Sequence, residues 1–439
     1  MVLVLNAVRN LWRFLAAGPL ARGSAWSFVG SIGTRLLALI AMIFIARITG
    51  KKAFGELGIL QSTLGLAGLL AGSSLGAAAT RFVARHRSRD TSRLGSTIGM
   101  LNMIGAISIL STTLIILCSS PWIAARILNA PELGISLNLG CILMGCNVLR
   151  GIQSGCLAGF ERFDINAKSN LVEGVISLLA SVILARFLGL NGAIIGFSIG
   201  AIASWIWGGV KSRDVYKNFD IKIRYRDCLK EWRLVISYSV PALIASVIAT
   251  PVTWYCQTQV AVQYSGYEQV GLFNAAYQWH GPMIFLPMIL MSTSIPMLVQ
   301  MWESEKVDEF RKAAYQIILL ALAVSIPPAL LVCAMSPWVM SLYGIEFSEG
   351  WPILIMVVLA APFHAITNIS VGALYGMNRP WRVVFVNILW AAVMAVVSLT
   401  TIPRFGIVGF TLGFFVAYFV QAIIAVRSAF PKRILNQDF

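Results

Sequence analysis

Long apolar runs separated by short polar segments dominate this 439-residue chain. Most runs are about 20 residues or longer, which is what a helix needs to cross ~30 Å of hydrocarbon. They predict twelve spans, near 24–47, 56–79, 95–119, 133–158, 166–188, 191–211, 234–258, 270–300, 310–336, 351–376, 381–402 and 406–428. Ahead of the first span, Val4, Val8, Leu11 and Leu15 share one face of a helix, with Trp12 beside them. Arg9, Arg13 and Arg22 bracket these short apolar patches, so 1–23 reads as an amphipathic segment at the membrane interface rather than a cleavable signal.

The spans look like six helices used twice. At an offset of 217 residues, Gly155, Leu157, Gly159 and Arg162 fall on Gly372, Leu374, Gly376 and Arg379. Asn170 falls on Asn387, Ser181 on Ser398, and Gly189, Gly192 and Gly196 on Gly406, Gly409 and Gly413. Six is even, so both copies cross in the same sense, which makes a parallel repeat with its pseudo-two-fold along the membrane normal. The expected fold is an all-α polytopic membrane protein with two six-helix lobes around a central cavity. The lobes are 24–211 and 234–430, joined by a cytoplasmic linker at 212–233 and followed by a cytoplasmic tail at 431–439.

Composition agrees with this pattern. Hydrophobic residues make up 58% of the chain and charged residues 12%, against about 25% charged in soluble domains. Mean hydropathy is +0.79. A net charge of +16 in a soluble chain would point to nucleic acid; here it follows the positive-inside rule, and no nucleic-acid partner is expected. With the N-terminus inside, cytoplasmic segments hold 26 of the 34 Lys and Arg, and the external loops hold six, Arg47, Lys51, Lys52, Arg126, Arg186 and Arg404. Both termini are therefore expected in the cytoplasm. The basic, aromatic linker and the basic loop from Arg81 to Arg93 read as surfaces on anionic lipid, with partner docking the alternative for the linker.

The seven cysteines show no metal-ligand spacing. Cys118, Cys141, Cys146, Cys156, Cys256 and Cys333 fall in spans and Cys228 in the linker, as small apolar residues do. Gly68, Gly72 and Gly76, and Gly192, Gly196 and Gly200, form faces on which helix backbones can approach closely. Prolines deep in spans are confined to the second lobe, at 241, 251, 282, 287, 296, 327, 328 and 362, so bends are expected there.

The stretch GCLAGFERFDINAKSNLVEGVISLLASVILARFLGLNGAIIGFSIG, at 155–200, resembles the fourth-to-sixth-helix signature of bacterial polysaccharide transporters. VGLFNAAYQW at 270–279 resembles their eighth-helix motif, and AFGELGIL at 53–60 is its first-lobe counterpart. The resemblance covers nearly the whole chain. It places the chain in the multidrug/oligosaccharidyl-lipid/polysaccharide exporter superfamily, nearest the Wzx-type flippases of lipid-linked oligosaccharides. One feature departs: family members often carry an acid near the end of the seventh helix, where this chain has Gln257 and Gln259.

Charges inside spans cost about 2.5–3.5 kcal/mol each on insertion scales, so each calls for a reason. Of the eighteen acids only Glu173 lies well inside a span; Glu56 is at the outer end of the second. Arg150 and Glu173 both fall ~12 Å from the cytoplasmic end, on antiparallel neighbours joined by the GFERFD turn. They read as a structural ion pair, or as a gating or proton-linked one. Arg35 falls ~17 Å deep in the first span, where the sequence places no acid at its level. It is expected to face a water-filled cavity and to meet a diphosphate, whose oxygens a guanidinium grips in bidentate fashion. Packing through backbone carbonyls is the alternative. Gln61, Asn102, Asn274, His280, His364 and Asn368 are the neutral polar candidates for lining a sugar path, against interhelical hydrogen bonding.

The resemblance implies a flippase of the bacterial inner membrane. It would carry an undecaprenyl-diphosphate-linked oligosaccharide, an O-antigen, exopolysaccharide or capsule unit, to the periplasmic leaflet by alternating access. Its partners would be that glycan lipid, the bilayer and other polysaccharide assembly proteins. No cofactor and no covalent chemistry are implied, and no GxxxxGK[ST] loop is present. The alternatives are a small-molecule antiporter of the same superfamily and, from another class, a membrane polymerase or acyltransferase. External loops of at most about fifteen residues argue against the last, since loops much beyond that length are where functional insertions sit.

Overall fold

The computed structural model describes residues 19–72, 75–87, 91–223, 225, 248–304, 306–377 and 379–430. The amphipathic segment at 1–23 (but for its last few residues), residues 224 and 226–233 of the linker, most of the span at 234–258 and the tail at 431–439 lie outside the described residues.

The described residues are helical almost throughout, and eight helical segments among them are long and apolar enough to cross a membrane. The chain divides into two compact units, Met1–Ile48 with Leu60–Ser246, and Thr49–Ile59 with Val247–Phe439. Helices α1 (Pro19–Leu70), α2 (Leu75–His86), α3 (Thr91–Trp122), α4 (Leu133–Gly159) and α5 (Phe163–Asn218) come first. Two of these are pairs of legs with a sharp break between them. Gly50 breaks α1 at φ 78°, ψ 174°, and Gly189 breaks α5 at φ 56°, ψ −132°. A side chain at such angles is strained, so glycine is what lets the chain reverse without a loop.

Two boundaries differ from the sequence expectation. The span expected at 56–79 stops at Leu70 and resumes at Leu75, because Gly72 takes φ 105°. The last helix of the first lobe, expected to end at 211, runs on to Asn218. Beyond it the linker does not begin as a free surface strand. Ile221 is buried in a core with Phe82, Leu94, Ile98, Phe160 and Val215, and the Phe219 ring lies 5.0 Å from that of Phe160.

The second unit holds α6 (Ala249–Ala261), α7 (Gly266–Tyr277), α8 (His280–Glu303), α9 (Val307–Ala334), the short α10 (Ser336–Ser341), a 3-10 turn (Ile345–Gly350), α11 (Trp351–Gly376), α12 (Pro380–Phe405) and α13 (Ile407–Ala429). The single span expected at 270–300 is two helices meeting at Gln278–Trp279. Pro282 explains the break: it has no N–H to give the carbonyl of residue 278, so the ladder fails there. Pro327 and Pro328 lie inside an uninterrupted α9. In the first unit Pro121 sits inside α3, one residue before its end, and a π-helix, Ile123–Ile127, follows.

The 217-residue repeat recurs in the backbone. Gly406 takes φ 54°, ψ −126°, within a few degrees of Gly189. A Cβ at Gly196 would meet the Ser181 backbone, and one at Gly413 would meet Ser398. Arg162 and Arg379, the residues just before α5 and α12, both hold ψ near 58°, at 58° and 57°.

Candidate functional site

In the first unit, polar side chains converge on Arg150 of α4. Its guanidinium donates to Glu173 Oε1 at 2.5 Å and pairs with the second carboxylate oxygen as well. It also donates to Asn147 Oδ1 at 3.3 Å, Asn170 Oδ1 at 3.3 Å and Ser204 Oγ at 3.0 Å. Ser204 comes from the second leg of α5, so the Gly189 reversal supplies the third wall. Ser169 and Ser204 are buried and exchange hydrogen bonds with each other's carbonyls, at 3.2 and 3.0 Å. The side chains of Arg150 and Glu173 are only 17% and 21% exposed. In this pair both charges are neutralised and most guanidinium donors are used.

At the end of this hairpin, in the turn before α5, Arg162 grips Asp164 through two bonds of 2.9 Å. The guanidinium holds the Asp164 carboxyl below the usual aspartate range. On the neighbouring connection Arg87 donates to Glu161 at 2.6 Å and to the Gly159 carbonyl at 3.2 Å.

In the second unit the two candidate histidines are brought together. His280 Nε2 and His364 Nδ1 are 3.0 Å apart, and His280 Nδ1 lies 3.2 Å from the Val357 carbonyl. His280 is 2% exposed and His364 half-buried. Aromatic rings enclose the pair: Tyr418 stacks on His364 at 4.4 Å, Tyr277 on His280 at 5.6 Å, and Phe414 meets His280 edge-on at 5.5 Å. Among the described residues no group of three His, Cys, Asp or Glu could hold a metal.

The remaining candidates are dispersed. Asn274 packs directly over Gly58, and its buried amide nitrogen has no hydrogen-bond partner. Gln61, Asn102 and Asn368 are half-buried, Asn368 one turn beyond His364 on α11. Arg35 is exposed, but it does engage an interaction within the structure.

Residues 20–302 match the family described as "Polysaccharide biosynthesis protein", which is more than half of the chain. The chain belongs to this family. Among curated relatives, the "EPS I polysaccharide export inner membrane protein EpsE" of Ralstonia solanacearum is 22% identical over 88% of this chain and 85% of its own. The "Probable flippase AglR" of Haloferax volcanii is 21% identical over 94% and 84%. Of solved structures, the lipid II flippase MurJ in an inward closed conformation superposes with a TM-score of 0.75 at 14% identity, covering 92% of this chain and 87% of its own. An inward-facing multidrug resistance MATE transporter of the MOP superfamily gives 0.71 at 13%, covering 90% and 94%. These two establish the fold.

As a member of the polysaccharide biosynthesis family, the chain is a multi-pass membrane protein of transporter type. Gln257, which stands where the resemblance led an acid to be expected, lies on α6, is 6% exposed, and its Oε1 has no hydrogen-bond partner. Sequence reasoning missed Asn147, Asn170 and Ser204 as partners of Arg150. Their spacing held the signal for two of them, since 147 precedes 150 by one helical turn and 170 precedes 173 likewise.

Proposed function

We propose that this protein is a flippase. It moves an undecaprenyl-diphosphate-linked oligosaccharide from the cytoplasmic to the periplasmic leaflet of a bacterial inner membrane. The family match over 20–302 carries this reading, with relatives named for polysaccharide export along nearly their whole length. The eight apolar segments, two of them double at Gly50 and Gly189, together with α8 and the span leading into α6, make up the twelve helices of this reading. They form two lobes with a cavity between them, and both termini are cytoplasmic. The glycan headgroup passes through the cavity while the polyprenyl chain stays in lipid, so no covalent step is needed.

Arg35 is the residue proposed to meet the diphosphate; its exposure keeps the guanidinium reachable. Among the charged groups inside the first unit, Arg150 is already committed to Glu173. That commitment also weakens the drug-antiporter reading, which needs a free membrane carboxylate for ion coupling. Deleting the gene should leave lipid-linked glycan accumulating on the cytoplasmic face, and the wild-type gene should restore export. Arg35→Ala should accumulate at normal protein levels and fail to restore it; Arg35→Lys should restore it in part. If lipid-linked glycan reaches the outer leaflet normally without the gene, the flippase reading is wrong.

A further inference from the structure

His280 and His364 lie 84 residues apart in sequence and share one hydrogen bond in the interior of the second unit. The direction of every proton in this chain of atoms is determined. A carbonyl only accepts, so His280 Nδ1 carries the hydrogen that bonds Val357. In a neutral imidazole His280 Nε2 is then the acceptor, and His364 Nδ1–H must donate to it. Both rings are therefore Nδ1–H tautomers, and His364 Nε2 keeps a bare lone pair. His364 is the half-buried member of the pair.

The 217-residue repeat supplies an independent observation. The partners of Arg150 are Asn147, Asn170, Glu173 and Ser204. Their counterparts in the second unit are His364, Asn387, Trp390 and Gln421. These too converge. Gln421 donates to Asn387 at 3.3 Å, and Trp390 packs on Tyr418, which stacks on His364. Arg150 itself is replaced by Thr367. The same place in the repeat thus holds a permanent, neutralised charge in one unit and an ionisable group without fixed charge in the other.

We propose that the His280–His364 pair is a proton-binding site that couples movement of the substrate to movement of a proton. This rests on the transporter reading above. A proton adds to His364 Nε2, making an imidazolium whose Nδ1–H is already bonded to His280. That Nδ1 proton can pass to His280 Nε2, which leaves His364 neutral and the charge on His280 against the Val357 carbonyl. One proton is taken up, none is lost, and the charge moves one ring inward without movement of either ring.

The surroundings let this charge matter. Tyr277 on α7 and Tyr418 on α13 are the titratable groups in ring contact with the pair. The charged residues of the helices packed here stand at helix ends. They are Glu268 on α7, Glu303 on α8, Arg382 and Arg404 on α12, and Arg427 on α13. On α9 they fall in the segment 308–312, and Glu346 and Glu349 lie in the 3-10 turn. Glu56, on the second leg of α1, is held by Lys52 at 3.8 Å. An added charge on the pair therefore meets no fixed counter-ion among the described residues of the helices packed around it, and a conformation that admits water or an anionic substrate would hold it better.

The chain has three histidines, so His86→Gln leaves only the pair. In that protein, ¹⁵N-histidine NMR in lipid nanodiscs should report two Nδ1–H tautomers and a nitrogen–nitrogen coupling across their hydrogen bond. On acidification both rings should shift together as one proton binds. His280→Gln keeps the bonds to Val357 and His364 but cannot accept the transferred proton. His364 should then titrate alone. His364→Gln should lose one proton of uptake per protein after a pH jump, and should abolish glycan export with lipid-linked intermediate accumulating. Nε2–H tautomers, two independent titrations, or rings that stay neutral until the protein unfolds would overturn the site. Unchanged, still pH-dependent export by His364→Gln would overturn the coupling. The NMR result does not depend on what is transported, so it stands even where the flippase reading falls.

Discussion

Gly189 and Gly406 adopt the same backbone conformation 217 residues apart, at φ 56°, ψ −132° and φ 54°, ψ −126°. Each turns the chain from one long helix directly into the next. No heavy atom lies within 4 Å of a Cβ built on Gly189, so Gly189→Ala meets only backbone strain, about 1–3 kcal/mol. Gly196 differs, because its Cβ would lie 2.2 Å from the Ser181 Cα. Gly196→Ala should lower the melting temperature of the detergent-solubilised protein well beyond Gly189→Ala. Equal shifts for the two would refute the close approach of the legs.

The Arg150 network should behave as a coupled unit. Arg150→Met and Glu173→Gln each leave one partner without its counter-charge, at a cost of roughly 3–5 kcal/mol. The double substitution should recover much of that loss. Thermal melts and expression levels of the four proteins give the coupling directly, and additive losses would mean that the pair carries no interaction. Ser204→Ala should show a smaller loss of the same sign, since it removes an acceptor for Arg150 and the donor to the Ser169 carbonyl without stranding a charge.

A second pH effect is expected beside the Gly50 break of α1. Lys51 donates to Glu349 at 2.6 Å and lies 4.0 Å from Glu268. The hydrogen bond to Glu349 and the nearby carboxylates raise its ammonium above the ordinary lysine range, against the opposing effect of burial. A raised folded-state value stabilises the fold at lower pH and is lost as pH climbs through it. Melting temperature should therefore fall more steeply above about pH 10.5 in the wild type than in Lys51→Met. Parallel curves for the two proteins would dismiss the link.

Orientation can be read by labelling. Tyr264 is 96% exposed and Ile345 86% exposed, both at the ends proposed to face outward. In a cysteine-free background, Tyr264→Cys and Ile345→Cys should react with an impermeant maleimide in intact cells. Asn218→Cys should react only after permeabilisation. The opposite pattern would invert the topology.

Local rules carried the sequence reading far. Apolar length alone placed α11 at 351–376, the range the helix occupies. Arg150 and Glu173 were legible as neighbours because the GFERFD turn forces α4 and α5 to run antiparallel, so equal distances from the turn mean equal depth. Ser204 was not legible, since its place at Arg150 depends on the register of a hairpin closed at Gly189, 15 residues earlier. The histidines were visible singly, but their contact depends on how α8 crosses α11, which no local pattern encodes. The break before His280 follows from Pro282, a signal present in the sequence and read only as a bend.

The segment Thr49–Ile59 belongs to the second unit although it is flanked on both sides by the first. Phe54 is buried there against Tyr343 and Phe347, with ring centroids 6.1 and 5.8 Å away, and Gly55 and Gly271 leave no room for a side chain between their backbones. A gene cut at the linker would therefore not yield two self-sufficient halves. The carboxy-terminal fragment would be born missing a wall that only the amino-terminal one can lend. Split-protein reporters and half-for-half chimaeras of this chain would have to carry residues 49–59 with the second half, which makes this short loan the part of the duplication that can no longer be undone.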